Sequence, residues 1–244
     1  MRRSDRLCAV RNAAVMLIAL AIAAGCATQG PRPSETVPAA PANFPVQYYR
    51  DAVAKGEPVY RIDPAQSLLV IEVHRSGSLA RLGHDHVVAS HDIRGLVAPD
   101  AGRADLYVEL NRLVVDEPSL RSEAGFDTQP SDDDIAGTRR NMLNELQTDQ
   151  YPFARISVSA IGTGDARSQF KVAVTLREAT REFEAPVQIQ SSTEAISVKG
   201  NLSLRQTDFG LNPLSVLGGA IQVQDQIDLR FRIRATRIWR ADDA

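Results

Sequence analysis

Between residues 221 and 235 apolar and polar positions alternate in unbroken phase. Ile221, Val223, Ile227, Leu229, Phe231, Ile233 and Ala235 take the odd positions, with Asp225 the one acid among them. Gln222, Gln224, Gln226, Asp228, Arg230, Arg232 and Arg234 take the even ones. Successive strand side chains point to opposite faces, so the pattern predicts a strand with one dry and one wet face. A wet face marks antiparallel sheet, because parallel sheets are covered on both sides. The length exceeds the common 5 to 6 residues of a strand. Such a strand suits the wall of a barrel.

The same period recurs upstream. Leu69, Ile71 and Val73 share a face, with Leu68 and Val70 on the other. Ala104, Leu106, Val108 and Leu110 alternate with Asp105, Tyr107, Glu109 and Asn111, and Ala154, Ile156, Val158 and Ala160 with Arg155, Ser157 and Ser159. Phe170, Val172, Val174 and Leu176 follow, then Phe183 to Ile189 and Ile196 to Leu204. Gly162-Thr163-Gly164-Asp165 reads as a hairpin turn. About eight strands on short connections predict an all-β antiparallel barrel or sandwich. One helix interrupts them near 131–148. Ser131 and Asp134 have the spacing of a capping box, and Ile135, Met142, Leu143 and Leu146 recur at helical period. Asp132–Asp134 then complement the helix dipole.

The N-terminus reads as an address. Arg2, Arg3, Arg6 and Arg11 precede the apolar run 13–24, which ends in Ala23-Ala24-Gly25-Cys26. A basic start, a short apolar stretch and small residues before a cut site make a secretory signal. The run falls short of the roughly 20 residues needed to span a bilayer. Its ending resembles a lipoprotein signal, which places a lipidated cysteine at Cys26 and removes residues 1–25. Cys26 would then tether the chain to a membrane, and Ala27 after it favours the outer membrane of the envelope, on its periplasmic face. Residues 27–46 hold five of the 13 prolines, so they are expected to form an extended spacer, within a Pro-rich linker expected over 26–56 from the lipidated cysteine onward. A barrel domain is expected over 57–239 and a short tail over 240–244.

Composition narrows the function. Of 244 residues 43% are hydrophobic and 24% charged, as in ordinary globular chains. The 28 basic residues against 30 acidic give no footprint for nucleic acid. Residues 1–25 carry four Arg and one Asp, so their removal leaves 24 basic and 29 acidic groups and a net charge of −5. With only 2 cysteines, Cys8 in the signal and Cys26 acylated, the mature domain has no thiol, as suits an oxidising compartment. Four histidines fall close together: His74, His84, His86 and His91. In Gly83-His-Asp-His86 two of them sit at i and i+2, one face of a strand, where they could share a divalent transition metal. Headgroup binding and plain structural roles are the alternatives. No Gly-x-Ser-x-Gly elbow, cysteine nucleophile or phosphate-cradling glycine loop occurs, so no catalytic activity is expected.

Several stretches together resemble the YceI-like family of bacterial envelope proteins. They are Tyr60-Arg-Ile-Asp-Pro-Ala-Gln-Ser67, Leu143 with Tyr151-Pro152 leading into Ile156, Val174 through Phe183, and Thr207-Asp-Phe-Gly-Leu-Asn-Pro213 with Gly218-Gly219. Glu178 stands where the family commonly has glycine. The resemblance implies a lipocalin-like barrel around a long apolar tunnel that binds polyisoprenoid or another lipid. The lining would then fall to Leu69, Ile71, Val73, Leu106, Val108, Phe170, Val172, Val174, Val198, Phe209, Ile227, Leu229 and Phe231. An eight-stranded barrel either fills with its own side chains or holds one ligand. With 5% aromatics and rows of Val, Ile, Leu and Ala, space for a chain-like guest is plausible. Burying about sixteen methylenes gains on the order of 12 kcal/mol, against association costs of roughly 4–15. A bilayer offers the tail the same environment, so the expected role is noncatalytic shielding or carriage of a long isoprenoid or fatty-acyl lipid. A metal-binding or redox-accessory lipoprotein built on His84 and His86, with His74 and His91 as further ligands, is the alternative.

Overall fold

The computed structural model describes residues 40–160 and 167–239. The expected signal, Cys26, the expected turn at 162–165 and the expected tail lie outside them. Twelve strands form one antiparallel sheet: β1 (Val59–Ile62), β2 (Leu68–Ser76), β3 (His86–Ser90), β4 (Ile93–Ala98), β5 (Arg103–Glu109), β6 (Val114–Val115), β7 (Phe153–Ala160), β8 (Arg167–Leu176), β9 (Ala179–Ser191), β10 (Ala195–Arg205), β11 (Ser215–Val216) and β12 (Ile221–Ile238). The described residues also hold three α-helices: α1 (Val46–Ala54), α2 (Pro118–Glu123) and α3 (Asp132–Leu146).

The twelve strands make eight walls, because four walls are each built of two strands, β11 continuing β10 along β12 in one of them. β1 and β2 lie in line along β12, β3 and β4 continue one another along them, and β5 and β6 form the next wall. The first break follows from Pro64, which cannot donate to a ladder. A single 3-10 turn forms there, and the Asp63 carboxylate accepts from Ala65 N–H at 3.0 Å. β12 closes the barrel, pairing with β10 on one side and with β2 and then β1 on the other. Closure removes the exposed edges of the sheet. The acid in the dry row of β12 is also explained. Asp225 sits where the β12–β2 register shifts, and it accepts from Thr207 N–H at 2.9 Å and Thr207 Oγ1 at 2.7 Å.

α3 is the expected helix, capped by a reciprocal Ser131–Asp134 box. The other two helices carry no such signal. α1 corrects the C-terminal part of the expected linker over 26–56: residues 46–54 are helical and docked on the outer face of the barrel. Tyr49 and Ala52 pack there with Val59, Leu96, Ala98 and Ile238. Tyr49 also donates from its phenol to Asp105 Oδ2 at 2.8 Å. Asp105 and Tyr107 therefore have the outward parity expected of them but are buried rather than wet. α2 covers another outer patch, with Leu120 against Val70, Val87 and Ala89.

Candidate functional site

Inside the walls lies a cavity of about 890 Å³. It runs from Arg103 and Ser191, near the turns that join β4 to β5 and β9 to β10, to Gln206 and Leu214 at the opposite end. Every expected lining residue but one borders it: Leu69, Ile71, Val73, Leu106, Val108, Phe170, Val172, Val174, Val198, Ile227, Leu229 and Phe231. Phe209 is the correction. It lies in a 3-10 turn after β10, 2% exposed, and its ring packs 6.2 Å from that of Phe183. It packs with Val172, Val174 and Leu204, so it fills the interior behind the lining instead of bordering the open space.

Leu69, Ile71, Leu106, Val198, Leu229 and Phe231 remain partly accessible although the sheet encloses them. The hollow is the reason. One aromatic is kept from bridging it by Gly200, directly opposite Phe231 in the ladder. A Cβ at Gly200 would stand 2.6 Å from Phe231 Cζ, so only glycine lets the ring lie against the wall.

α3 lies across one end of the barrel. Ile135, Met142 and Leu146 pack onto the core beneath it, while Thr138, Asn141, Asn144 and Glu145 face the cavity as well. These positions recur at three- and four-residue spacing, one face of a helix. Arg139 Nη2 donates to Asn111 O at 2.6 Å, and Glu145 Oε1 accepts from Asn212 N–H at 2.7 Å, fastening both halves of the helix. At the same end Leu214 borders the cavity yet is 51% exposed. Val216 of β11 and Leu217 and Leu82 in short 3-10 turns are exposed nearby, the two segments joined by the bond from Leu79 N–H to Ala220 O at 2.8 Å. The mouth thus has an apolar rim.

The histidines do not assemble as a metal centre. His86 opens β3 and faces inward, paired with Val73. His84 precedes the strand, with its ring centroid 6.2 Å from that of His86 and Nε2 3.9 Å from Asp134. His74 has the opposite parity to Val73 and meets Phe126 and Asp85 outside the barrel. His91 pairs with Glu117 at 2.7 Å on the surface. Among the described residues no three His, Cys, Asp or Glu side chains converge as a metal-holding set. Strand parity separates the residues that closeness in sequence had grouped.

What His86 does meet was not legible. Its Nδ1 lies 2.6 Å from Asp116 Oδ2, and Nε2 lies 3.4 Å from the Thr138 hydroxyl on α3. Asp116 is fully buried; its Oδ1 accepts from Arg121 Nη1 at 2.6 Å and from Val87 N–H at 3.1 Å. Burial pushes the Asp116 carboxyl up, but the bonds from His86, Arg121 and Val87 outweigh it and hold the group below the usual carboxylate range. The only hint in the sequence is an acid closing the apolar run Leu113–Val115. Nothing in that spacing ties it to a histidine 30 positions earlier.

The family model of the YceI-like domain matches residues 60–235. The chain belongs to the YceI-like family. Barrels of this family are binding proteins for polyisoprenoid or related lipids. Two similar solved structures are BcnA of Burkholderia cenocepacia and a YCEI protein of Campylobacter jejuni. The first has 11% identity and a TM-score of 0.46, covering 72% of this chain and 99% of that one. The second has 11% identity and a TM-score of 0.40, covering 59% and 81%. No curated protein matches the chain.

Proposed function

We propose that this YceI-like protein shelters one long apolar lipid chain inside its barrel and exchanges it with membranes of the bacterial envelope, without chemistry on the lipid. The observation that carries the reading is the 890 Å³ cavity, walled mostly by aliphatic side chains. That volume lies high in the ~300–1,000 Å³ range of ligand pockets. Apolar cavities of this kind hold water poorly and accept apolar guests. The exposed rim of Leu82, Leu214, Val216 and Leu217 gives a chain an apolar path past α3. Acylation at Cys26 tethers the domain at the periplasmic face of the outer membrane, where the guest is exchanged rather than extracted by affinity.

Native mass spectrometry of protein purified without detergent tests the reading. A bound mass of several hundred daltons, lost on organic extraction and absent from Leu229→Trp, is the expected result. A barrel that carries no lipid and takes none up from vesicles, or a bound mass removed by chelator, overturns it.

A further inference from the structure

We propose that His86 and Thr138 form a subsite for the polar end of the guest, and that this subsite selects a lipid alcohol over lipids ending in an anion or in an acceptor alone. The inference rests on the lipid-sheltering role above and adds the chemistry of the headgroup.

The argument starts at Asp116. Its carboxylate is buried and ionised, so it can only accept hydrogen bonds. Oδ1 is taken by Arg121 and Val87, which leaves Oδ2 for His86 at 2.6 Å. His86 Nδ1 must therefore carry the proton it donates. In the uncharged ring, Nε2 is then a lone-pair acceptor beside Thr138, and both residues border the cavity. Its partner in the structure is the Thr138 hydroxyl, at 3.4 Å, beyond the 2.5–3.2 Å of a well-made bond. A second polar atom in this seam is also unmet: His84 Nδ1 is buried without a hydrogen-bond partner.

An acceptor fixed in an apolar chamber favours an O–H donor. A lipid alcohol donates to His86 Nε2 and accepts from the Thr138 hydroxyl, so both groups are satisfied by one oxygen. Anionic ends are disfavoured by the charges around the cavity. Arg103 is its one lining arginine or lysine among the described residues. It lies at the end away from α3 and is bound to Asp105 at 2.7 Å. Glu145 lines the same face of α3 as Thr138, and an anion there would be repelled, with only the uncharged donors of Thr138, Asn141 and Asn144 to meet it.

Competition against radiolabelled hexadecanol is the test, with hexadecyl methyl ether and palmitate as probes of matched chain length. One net hydrogen bond corresponds to about a fivefold to tenfold preference, so hexadecanol should exceed the ether by that factor and palmitate by at least as much. Thr138→Val should weaken hexadecanol and the ether alike, about threefold, because each oxygen accepts from the hydroxyl, and leave the preference for alcohol in place. Asp116→Asn gives the reading that a structural role would not. With Asn Oδ1 held by Arg121, Nδ2 faces His86 Nδ1 and donates to it, so Nε2 becomes the N–H donor. The preference for alcohol over ether should then collapse or invert. Wild-type protein that binds alcohol and ether within twofold, or prefers palmitate, overturns the subsite. Failure of all three probes to bind overturns the sheltering role itself. The wild-type series and Thr138→Val keep the test decisive even where Asp116→Asn fails to fold.

Discussion

The wall of this barrel has two apolar faces made of the same residue types, and they are filled to different degrees. On the outside, beneath α1, Tyr49 and Val59 are 0% exposed and Leu96, Ala98 and Ile238 close around them. On the inside, Leu69, Ile71, Leu229 and Phe231 are surrounded by sheet yet remain accessible. The outer face is dry because a helix arrived to fill it. The inner face stays hollow because medium side chains on eight walls do not reach across. Strand parity assigns a residue to a face; only the other elements decide whether that face is packed.

The largest test of this contrast removes side chains. Tyr49→Ala leaves a cavity in a closed cluster and frees Asp105 from a buried bond, so it should cost about 3–5 kcal/mol. Leu229→Ala in lipid-free protein enlarges a space already open. It loses part of the transfer energy without a new cavity, and about 1–2 kcal/mol is expected. Urea unfolding of both variants measures the difference. Equal losses would mean that the interior is packed as tightly as the exterior.

Adding methylenes reverses the test. Ala52 is 3% exposed beneath α1, and Ala52→Leu should cost about 1–3 kcal/mol through overpacking. Val198→Leu, which projects into the cavity, should stay within about 0.5 kcal/mol of wild type. Differential scanning calorimetry reads the two. The same Val198→Leu protein should accept a shorter maximum chain length when a series of fatty alcohols is titrated.

Legibility in the sequence follows the same division. The inward rows of β2, β5, β8, β10 and β12 were legible because a period of two is local, and so was α3 from its Ser131–Asp134 box. α1 was not. Val46–Ala54 is short and follows prolines, and what holds it is the bond from Tyr49 to Asp105, 56 residues away. Asp105 was expected to be wet for the same reason: its strand shows which way it points, not what covers it. The His86–Asp116–Arg121 chain joins three elements through side chains alone, so no periodicity announces it. His84 and His86 stood out as a pair, but the partners that define their chemistry lie on α3 and just after β6.

The smallest effect concerns the bond that fixes α1 to the barrel. Tyr49→Phe keeps the packing and removes the donor to Asp105. The acid retains Arg103 Nε at 2.7 Å and Ser157 Oγ at 2.9 Å, so the loss at neutral pH should be about 1 kcal/mol. Burial, reinforced by the hydrogen bond and charge of Asp105, pushes the Tyr49 phenol well up from its ordinary value. A group whose pKa is raised by folding contributes stability that is fully present below its unfolded pKa, about 10 for tyrosine, and is lost as pH rises above it. Wild-type protein should therefore lose stability from about pH 10 upward, and Tyr49→Phe should lose it less steeply. Tyr107, also raised by burial on the outer face, keeps the variant's profile from being flat. Urea midpoints collected from neutral to strongly alkaline pH give both slopes. Parallel slopes would show that Tyr49 ionises as freely in the folded protein as in the unfolded chain, which a sealed outer face does not permit.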